Sequence, residues 1–283
     1  MERRFVLTRV FRENDLVIFI DHQGRTYLQK LKPAGRLSTH RGFINHADVV
    51  GLAPGTVLHT TQGKQFSVFA PSLVDFTMGM ERKSGIIYPK DTAYILFYAD
   101  IFPGARVVLG GIGSGAILLA AARQVGREGC VTGYDVREDM LSHARQNLQA
   151  FLGETPQVTL KLGSVYQEIE ERDLDAAILD VPEPWEAVPA LTDAVRPGGY
   201  ALAYTPSINQ AEKFNTALRA SRAFTLTETV EVLVRDWYIW NKAVRPNHRM
   251  VGHTGFLTLG RRVVGLPPYK ESAVEEDHRE QSK

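Results

Sequence analysis

Three glycines and one aspartate carry the clearest chemical signal in the sequence. Gly111, Gly113 and Gly115 form a G-x-G-x-G turn directly after the short apolar run 106–109. Glycine has no Cβ, so the backbone N–H groups of such a turn can approach a ligand closely. Asp135 lies twenty residues after Gly115, about the distance at which a doubly wound fold presents an acid to the hydroxyls of a ribose. This spacing predicts a site for a nucleoside-containing cofactor.

The glycine pattern favours S-adenosylmethionine over a dinucleotide. A predicted helix follows Gly115 at once, without the third glycine of G-x-G-x-x-G that packs a pyrophosphate-binding helix against its strand. A nicotinamide oxidoreductase is therefore the weaker reading, and a glycine turn that binds nothing is the structural alternative. The predicted cofactor residues are Gly111, Gly113, Ser114, Gly115, Asp135, Ser164 and Asp180.

Asp180 follows the predicted strand 176–179 and opens the stretch Asp-Val-Pro-Glu-Pro-Trp. Ligands of open α/β sheets bind at the carboxyl ends of the strands, so Asp180 should face the reactive end of the cofactor. A fixed carboxylate there can accept a hydrogen bond from the amino group of a base and stabilise the positive charge that forms during methylation of a ring nitrogen. Asp173 and Asp175 precede the strand at the opposite edge and are predicted to be solvated turn residues, and Trp185 is predicted to pack.

The elements that must position these residues alternate between strands and helices, which predicts an α/β, doubly wound parallel sheet. The predicted strands are 106–109, 130–134, 158–162, 176–179 and 200–204, and the predicted helices are 139–152, 187–194 and 209–220. The strand-like segments 226–233 and 254–259 predict an antiparallel pair at one edge of the sheet.

Ahead of this sheet, two hairpin signals predict a small β-rich N-terminal domain. Strand-like runs flank Asp-His-Gln-Gly at 21–24 and Thr-Gln-Gly-Lys at 61–64. The predicted domains are 1–70, β-rich; 71–105, connecting helices over 72–81 and 91–99; 106–265, the cofactor-binding domain; and 266–283, a charged tail expected to be disordered. The N-terminal domain could be an appendage or a platform for substrate.

Composition narrows the setting of the protein without identifying a partner. The net charge of +1 over 283 residues neither supports nor excludes nucleic acid, since a local basic face is what matters. The single cysteine, Cys130, rules out a disulfide framework or a cysteine metal site, and we expect no metal. The single cysteine also fits a reducing, cytoplasmic setting. Because no apolar run approaches the length that spans a bilayer, we expect no membrane partner.

Four motifs occur in the order seen in one enzyme family: Ile-Tyr-Pro-Lys-Asp at 87–91, Leu-Asp-Val-Pro-Glu-Pro-Trp at 179–185, Pro-Ser-Ile-Asn-Gln at 206–210 and Arg-Met-Val-Gly-His-Thr-Gly-Phe-Leu at 249–257. The chain thereby resembles the tRNA adenine-58 N1-methyltransferase family over nearly its whole length. The resemblance implies a class I methyltransferase fold, S-adenosylmethionine as donor, the T-loop of tRNA as acceptor and a homotetramer. It also implies that Asp180 and Tyr88 are catalytic, with Tyr88 beside the target base.

The sequence departs from the family pattern at the glycine turn. The family has Glu-Ala-Gly-Thr-Gly-Ser-Gly at this place. An alignment on the final Gly-Ser-Gly puts Gly110 at the glutamate and leaves the turn one residue short or shifted. An alignment without a gap puts Ile112 at the threonine. Loss of the acid would remove a counter-charge for the ammonium group of the donor. A tRNA-binding paralogue or subunit with weakened or lost cofactor binding is therefore the second reading.

Cations interleaved with aromatic residues predict an RNA surface. One set precedes the glycine turn and another lies near the carboxyl end of the fold, where Trp237 and Trp240 accompany basic residues. Cations contact phosphates and aromatic rings stack on unpaired bases. An edge strand protected from aggregation by charge is the alternative. The predicted RNA-binding residues are Arg82, Lys83, Lys90, Arg245 and Arg249.

Overall fold

The computed structural model describes residues 10–167 and 169–265, and the predicted tail 266–283 lies outside them. The N-terminal part contains a four-stranded antiparallel sheet in the order β2-β1-β6-β5 and a separate hairpin of β3 and β4. Its strands are β1 (Leu16–Asp21), β2 (Thr26–Lys30), β3 (Arg36–Thr39), β4 (Gly42–Asn45), β5 (Thr56–His59) and β6 (Gln65–Phe69), with a 3₁₀ turn at His46–Asp48. The two predicted hairpins are β1–β2 and β5–β6.

Two helices connect this part to the larger sheet, α1 (Leu73–Gly79) and α2 (Pro89–Tyr98). Ser72 caps α1 in a reciprocal capping box with Asp75, which satisfies backbone N–H groups that have no partner within the helix. In α2, Tyr88 is the N-cap and Pro89 occupies the first turn, where its missing N–H costs nothing. This helix start fixes the position of Tyr88.

The main sheet has seven strands in the order β12-β15-β11-β10-β7-β8-β9. Its parallel strands are β7 (Arg106–Gly110), β8 (Cys130–Asp135), β9 (Val158–Leu162), β10 (Leu174–Leu179) and β11 (Val195–Thr205). The antiparallel pair β12 (Phe224–Val230) and β15 (Phe256–Arg262) extends it at one edge, as predicted. The helices are α3 (Ala116–Val125), α4 (Glu138–Leu152), α5 (Val188–Ala194) and α6 (Ile208–Ala220), with a 3₁₀ turn at Pro184–Ala187.

The register of the sheet brings the predicted site residues together. Gly110, the last residue of β7, pairs with Leu179 of β10 on one side and with Tyr134 of β8 on the other. Asp180 and Asp135 are next in sequence, so they flank the turn that follows Gly110. Apolar side chains pack on both faces of this sheet, and a third apolar cluster fills the N-terminal part.

Two hairpins were not predicted from the sequence. The β3–β4 hairpin consists of two four-residue strands, too short to give a clear alternation. The other pairs β13 (Trp237–Trp240) with β14 (Ala243–Pro246). It forms a sheet of its own, so the aromatic and basic residues there are not an edge strand of the main sheet.

Candidate active site

The three glycines of the turn are required by neighbouring protein atoms. All three have positive φ, at 76°, 47° and 91° for Gly111, Gly113 and Gly115. A Cβ on Gly111 would lie 2.1 Å from the carbonyl oxygen of Asp180, and one on Gly115 would lie 3.2 Å from Cβ of Ala144 in α4. The turn therefore packs against the end of β10 more closely at Gly111 than a residue with a Cβ permits, and it packs tightly against α4 at Gly115.

Backbone N–H groups of the turn are hydrogen-bonded inside the protein. The N–H of Gly111 donates to the carbonyl of Tyr134 at 2.8 Å, and that of Gly113 donates to Oδ2 of Asp135 at 3.1 Å. The N–H of Ser114 donates to Oγ of Ser84 at 3.0 Å. We expected these groups to face the ligand, and they instead fix the shape of the turn.

Ser114 joins the turn to the segment before α2. Its side chain is 1 % exposed, and its hydroxyl accepts hydrogen bonds from the backbone N–H groups of Lys83 and Ser84 at 3.0 and 3.2 Å. The Ser114 side chain thus ties two parts of the fold together, and its contact with a cofactor stays a prediction. Ser164 follows β9 and its hydroxyl accepts from the N–H of Tyr166.

Asp135 has the surroundings expected of a ribose-binding acid. It is half-buried at the carboxyl end of β8, and its two oxygens accept from the N–H groups of Gly113 and Arg137. Each carboxylate oxygen has two lone pairs, so both retain capacity for a ligand hydroxyl. The free acceptor sites on the Asp135 oxygens therefore fit the diol of a nucleoside cofactor.

Asp180 directly follows β10 and is half-buried. Among the described residues no hydrogen bond reaches its side chain, while its N–H donates to the carbonyl of Gly110 and so fixes its backbone at 2.8 Å. Burial, and after it the negative charge of Asp135, raises the pKa of Asp180 to about 6. The loop beyond it is held by Gln210, whose side-chain amide donates to the carbonyl of Pro182 at 2.8 Å. A perturbed pKa in such a position marks a candidate functional group, and the catalytic role of Asp180 stays a prediction.

The structure shows that position 110 has no room for the glutamate that one alignment with the family places there. A Cβ on Gly110 would lie within 2.8–2.9 Å of the side chains of Leu179 and Val165, so position 110 faces packed apolar atoms. On the alignment without a gap, the seven-residue family pattern spans 109–115. Leu109, which is 1 % exposed, therefore takes the place of the glutamate, and Ile112 keeps the place of the threonine.

Hydrogen bonds connect the four family motifs to one another. Gln210 of the third motif holds Pro182 of the second. His253 of the fourth motif contacts the carbonyl of Pro206 at 2.9 Å. Thr254 of the fourth motif donates to Asp91 of the first at 2.7 Å. The motifs therefore form one connected structure around the end of β10.

Two tyrosines border this structure. Tyr88 is 40 % exposed, whereas Tyr204, at the end of β11, is 8 % exposed. Burial raises the pKa of Tyr204 to about 12, with further contributions from the charges of Asp91 and Asp180 and from Tyr88. In the sheet, Tyr204 follows Ala203, the β11 partner of Leu179, so it lies beside Asp180, although the sequence analysis did not single it out. The signal that was available is its position at the carboxyl end of a parallel strand.

Comparison with known families identifies the chain. Residues 66–244 match the family described as tRNA methyltransferase complex GCD14 subunit, and residues 10–58 match the family described as TrmI-like N-terminal. The chain belongs to this tRNA methyltransferase family. It is 35% identical over 243 residues to the tRNA (adenine(58)-N(1))-methyltransferase TrmI of Thermus thermophilus, an alignment that covers 86% of this chain and 94% of the relative.

Solved structures of the same fold extend the comparison. An S-adenosylmethionine-dependent O-methyltransferase from Thermotoga maritima has a TM-score of 0.88 and 31% identity, with 93% of this chain and 98% of that one covered. The tRNA (m1A58) methyltransferase TrmI of Aquifex aeolicus has a TM-score of 0.80 and 28% identity, with 90% and 100% covered. This member of the tRNA methyltransferase family therefore has the class I methyltransferase fold with the β-rich N-terminal part, as predicted, and the nicotinamide oxidoreductase reading is wrong.

The predicted RNA-binding cations of this family member have different surroundings. Lys90 donates to Asp91, Val232 and Thr254, so all three of its N–H donors are engaged inside the fold. Arg82 is half-buried and donates to carbonyls at the end of α1. By contrast, Lys83 and Arg249 are exposed.

The β13–β14 hairpin carries the last predicted RNA-binding residue, Arg245, which is half-buried beside exposed aromatic side chains. The guanidinium of Arg245 lies 4.9 Å from the ring centre of Tyr238. Trp237 and Trp240 are 56 % and 67 % exposed. The hairpin therefore combines cations with aromatic rings, as the sequence analysis expected.

A separate cavity of about 870 Å³ lies between the N-terminal part and helices α3 and α4. Its lining includes Lys30, Arg123 and Arg127, beside residues at the carboxyl ends of both helices. Cations are favoured at helix carboxyl ends, which accounts for these residues without a ligand. Within the described residues no helix has the length and apolar character to cross a membrane, and no cluster of metal-binding side chains occurs there.

Proposed function

We propose that this chain is a methyltransferase that uses S-adenosylmethionine to methylate N1 of adenine 58 in tRNA. The observation that carries the proposal is the unpartnered carboxyl group of Asp180 at the carboxyl end of β10, one strand away from the glycine turn. The activity and position are those in the name of the Thermus thermophilus relative. Donor binding is supported by Asp135, whose oxygens keep lone pairs for a ribose.

The bound donor would supply an electrophilic methyl group on a positively charged sulfur. The lone pair of adenine N1 forms the new N–C bond as the S–C bond breaks, so the positive charge passes from sulfur to the base. Asp180 accepts a hydrogen bond from the neighbouring amino group and stabilises that charge, which it can do best as the ionised carboxylate. Tyr88 lies beside the base, which must leave its stack to reach the site.

The proposal includes a substrate surface and an assembly. Lys83, Arg245 and Arg249 contact phosphates, while the exposed tryptophans of the β13–β14 hairpin either stack on bases or pack against another subunit of a homotetramer. Exposed apolar side chains on that hairpin, including Ile239 at 70 % exposure, support the assembly. A cytoplasmic location belongs to the same proposal, because tRNA is modified there.

The decisive experiment incubates the purified chain with labelled S-adenosylmethionine and unmodified tRNA, followed by mapping of the modified nucleoside. We expect one N1-methyladenosine at position 58, and no label in a tRNA that carries guanosine there. Calorimetry with the donor alone separates this function from the tRNA-binding paralogue. A chain that binds tRNA, gives no donor signal and transfers no methyl group would establish the paralogue instead.

The RNA surface has its own test. Replacement of Arg245 and Arg249 by alanine should weaken tRNA binding and reduce the slope of log K against log salt by about 0.7–0.9 for each lost phosphate contact. Donor affinity should not change. Arg127→Ala, at the opposite end of the sheet, is the control and should leave the slope as it is. An unchanged slope in the double variant would assign both arginines to the subunit interface.

A further inference from the structure

A buried ionic network joins the first turn of α2 to Thr254, which lies two residues before β15. Nζ of Lys90 lies 2.8 Å from Oδ1 of Asp91 and 2.6 Å from Oγ1 of Thr254. The Thr254 hydroxyl in turn donates to Oδ2 of Asp91 at 2.7 Å. Asp91 is 0 % exposed. A carboxylate so deeply buried is tolerated because it is both ion-paired and hydrogen-bonded.

The same network holds the two tyrosines of the site. The carbonyl of Tyr88 accepts from the N–H groups of Asp91 and Thr92 at 3.0 and 2.9 Å, so the position of Asp91 sets the position of Tyr88. The Tyr204 hydroxyl donates to the carbonyl of Thr254 at 2.5 Å. A Cβ on Gly255 would lie 2.4 Å from the Tyr204 ring, so the ring contacts this backbone directly.

We infer that Asp91 and Thr254 are positioning residues, which place Tyr88 and Tyr204 around the base that Asp180 binds. Neither residue is assigned contact with the reacting atoms. The inference rests on the proposed function, because it assigns a part in methyl transfer. It gives a reason for the Lys-Asp pair in the first motif and for the Thr-Gly pair in the fourth, which lie more than 160 positions apart.

The alternative is that this network only stabilises the fold, and the chain offers a matched control. Thr258 lies on β15, is 0 % exposed, and pairs its hydroxyl with that of Thr229 at 2.9 Å, away from the site. Thr254→Val and Thr258→Val thus each remove one hydrogen-bonded hydroxyl from the same part of the fold. A purely structural role predicts similar losses of Tm and equal kcat for the two variants.

The positioning role predicts a different result. In Thr254→Val, kcat should fall roughly tenfold to a hundredfold, as expected when a reactive geometry is misplaced by about an ångström. The Kd for S-adenosylmethionine should not change, Thr258→Val should keep the wild-type kcat, and Thr254→Ser, which restores the hydroxyl, should recover most of the rate. Equal kcat in the two valine variants would overturn the inference.

Hydrogen exchange gives a readout that needs no activity. The amides of Asp91 and Thr92, which bond to the carbonyl of Tyr88, should exchange faster in Thr254→Val than in Thr258→Val or the wild type. Equal exchange in all three would also overturn the inference. If the wild-type chain methylates no tRNA, the proposed function fails, while the exchange measurement still decides whether the network holds Tyr88.

Discussion

The first turn of α2 carries a fully buried carboxyl group, Asp91, and the end of β10 a half-buried one, Asp180, and the two differ in their partners. Asp91 on α2 is ion-paired with Lys90 and hydrogen-bonded by Thr254. Asp180 after β10 has no such partner among the described residues, and burial raises its pKa to about 6. A carboxylate whose oxygens are satisfied by the protein serves the scaffold, whereas one left unsatisfied keeps its capacity for a substrate.

An added carboxyl group gives the largest expected effect. Gly110→Glu would place an unpartnered acid against Leu179 and Val165, where even a Cβ is too close. We expect the variant to lose about 3 kcal/mol or more of unfolding free energy, from overpacking and an unpaired buried charge together. Chemical denaturation measures this loss.

The control for that variant is Gly85→Glu, since a Cβ at Gly85 meets nothing within 4 Å. Gly85→Glu should unfold like the wild type. Should Gly110→Glu prove as stable as the wild type and bind S-adenosylmethionine more tightly, position 110 would face the donor after all.

Asp180→Asn should separate activity from stability. We expect kcat to fall by about 10²-fold or more, the usual effect of removing one group that stabilises developing charge. Stability above pH 6 should stay level or rise, because the raised pKa means that ionised Asp180 is disfavoured in the folded state. Steady-state kinetics and thermal unfolding measure the two quantities.

Glu183→Gln, which neutralises an exposed acid of the same loop, is the control and should keep the wild-type kcat. The wild-type rate should itself rise with pH through about 6, because the carboxylate form is the active one. Near-normal turnover in Asp180→Asn would remove Asp180 from the mechanism.

The contrast between Asp91 and Asp180 also shows which features could be predicted from the sequence. Element order, the edge pair β12–β15, and the placement of Asp135 and Asp180 beside the glycine turn follow from local patterns and the rules of parallel sheets. The partners of Lys90 do not, because Val232 and Thr254 lie 142 and 164 positions away. A lysine beside a tyrosine therefore resembled an RNA contact in the sequence.

The surroundings of Gly110, like the partners of Lys90, could not be predicted from the sequence. A local pattern shows that Gly110 precedes the turn, but Val165 and Leu179, which fill the space around it, come from other parts of the chain. The Glu-Ala-Gly-Thr-Gly-Ser-Gly comparison could be aligned in two ways, and packing excludes a glutamate at position 110. Tertiary neighbours, and not residue types, determine which polar or small residue is free for a ligand.

Asp135 is intermediate between Asp91 and Asp180. Its oxygens accept two backbone hydrogen bonds and keep lone pairs free for a ligand. Asp135→Asn should weaken S-adenosylmethionine binding by about 1–3 kcal/mol, through the loss of charged hydrogen bonds to the ribose. Calorimetry measures the change, and Asp139→Asn, which alters an exposed acid paired with Arg137, is the control. A Kd equal to that of the wild type would show that another group binds the ribose.

The smallest expected effect concerns His253, at the base of the β13–β14 hairpin. Its Nδ1 lies 2.5 Å from Oε1 of Glu231 and its Nε2 lies 2.9 Å from the carbonyl of Pro206. Both neighbours are acceptors, so only the protonated ring donates to both. The hydrogen bond to Glu231, followed by that to Pro206, raises the pKa of His253 above its ordinary value of 6.5.

The sign of the resulting pH dependence follows from that shift. Since the pKa is higher in the folded state than in the unfolded chain, the stabilisation is complete below pH 6.5 and is lost as pH rises through the folded-state pKa. The Tm difference between wild type and His253→Gln should therefore shrink as pH rises through that range. In Glu231→Gln the main cause of the shift is gone, so the corresponding decline should begin at lower pH. If the difference from His253→Gln is the same at every pH, His253 is neutral in the folded protein, and one of its two neighbours is not bonded to it.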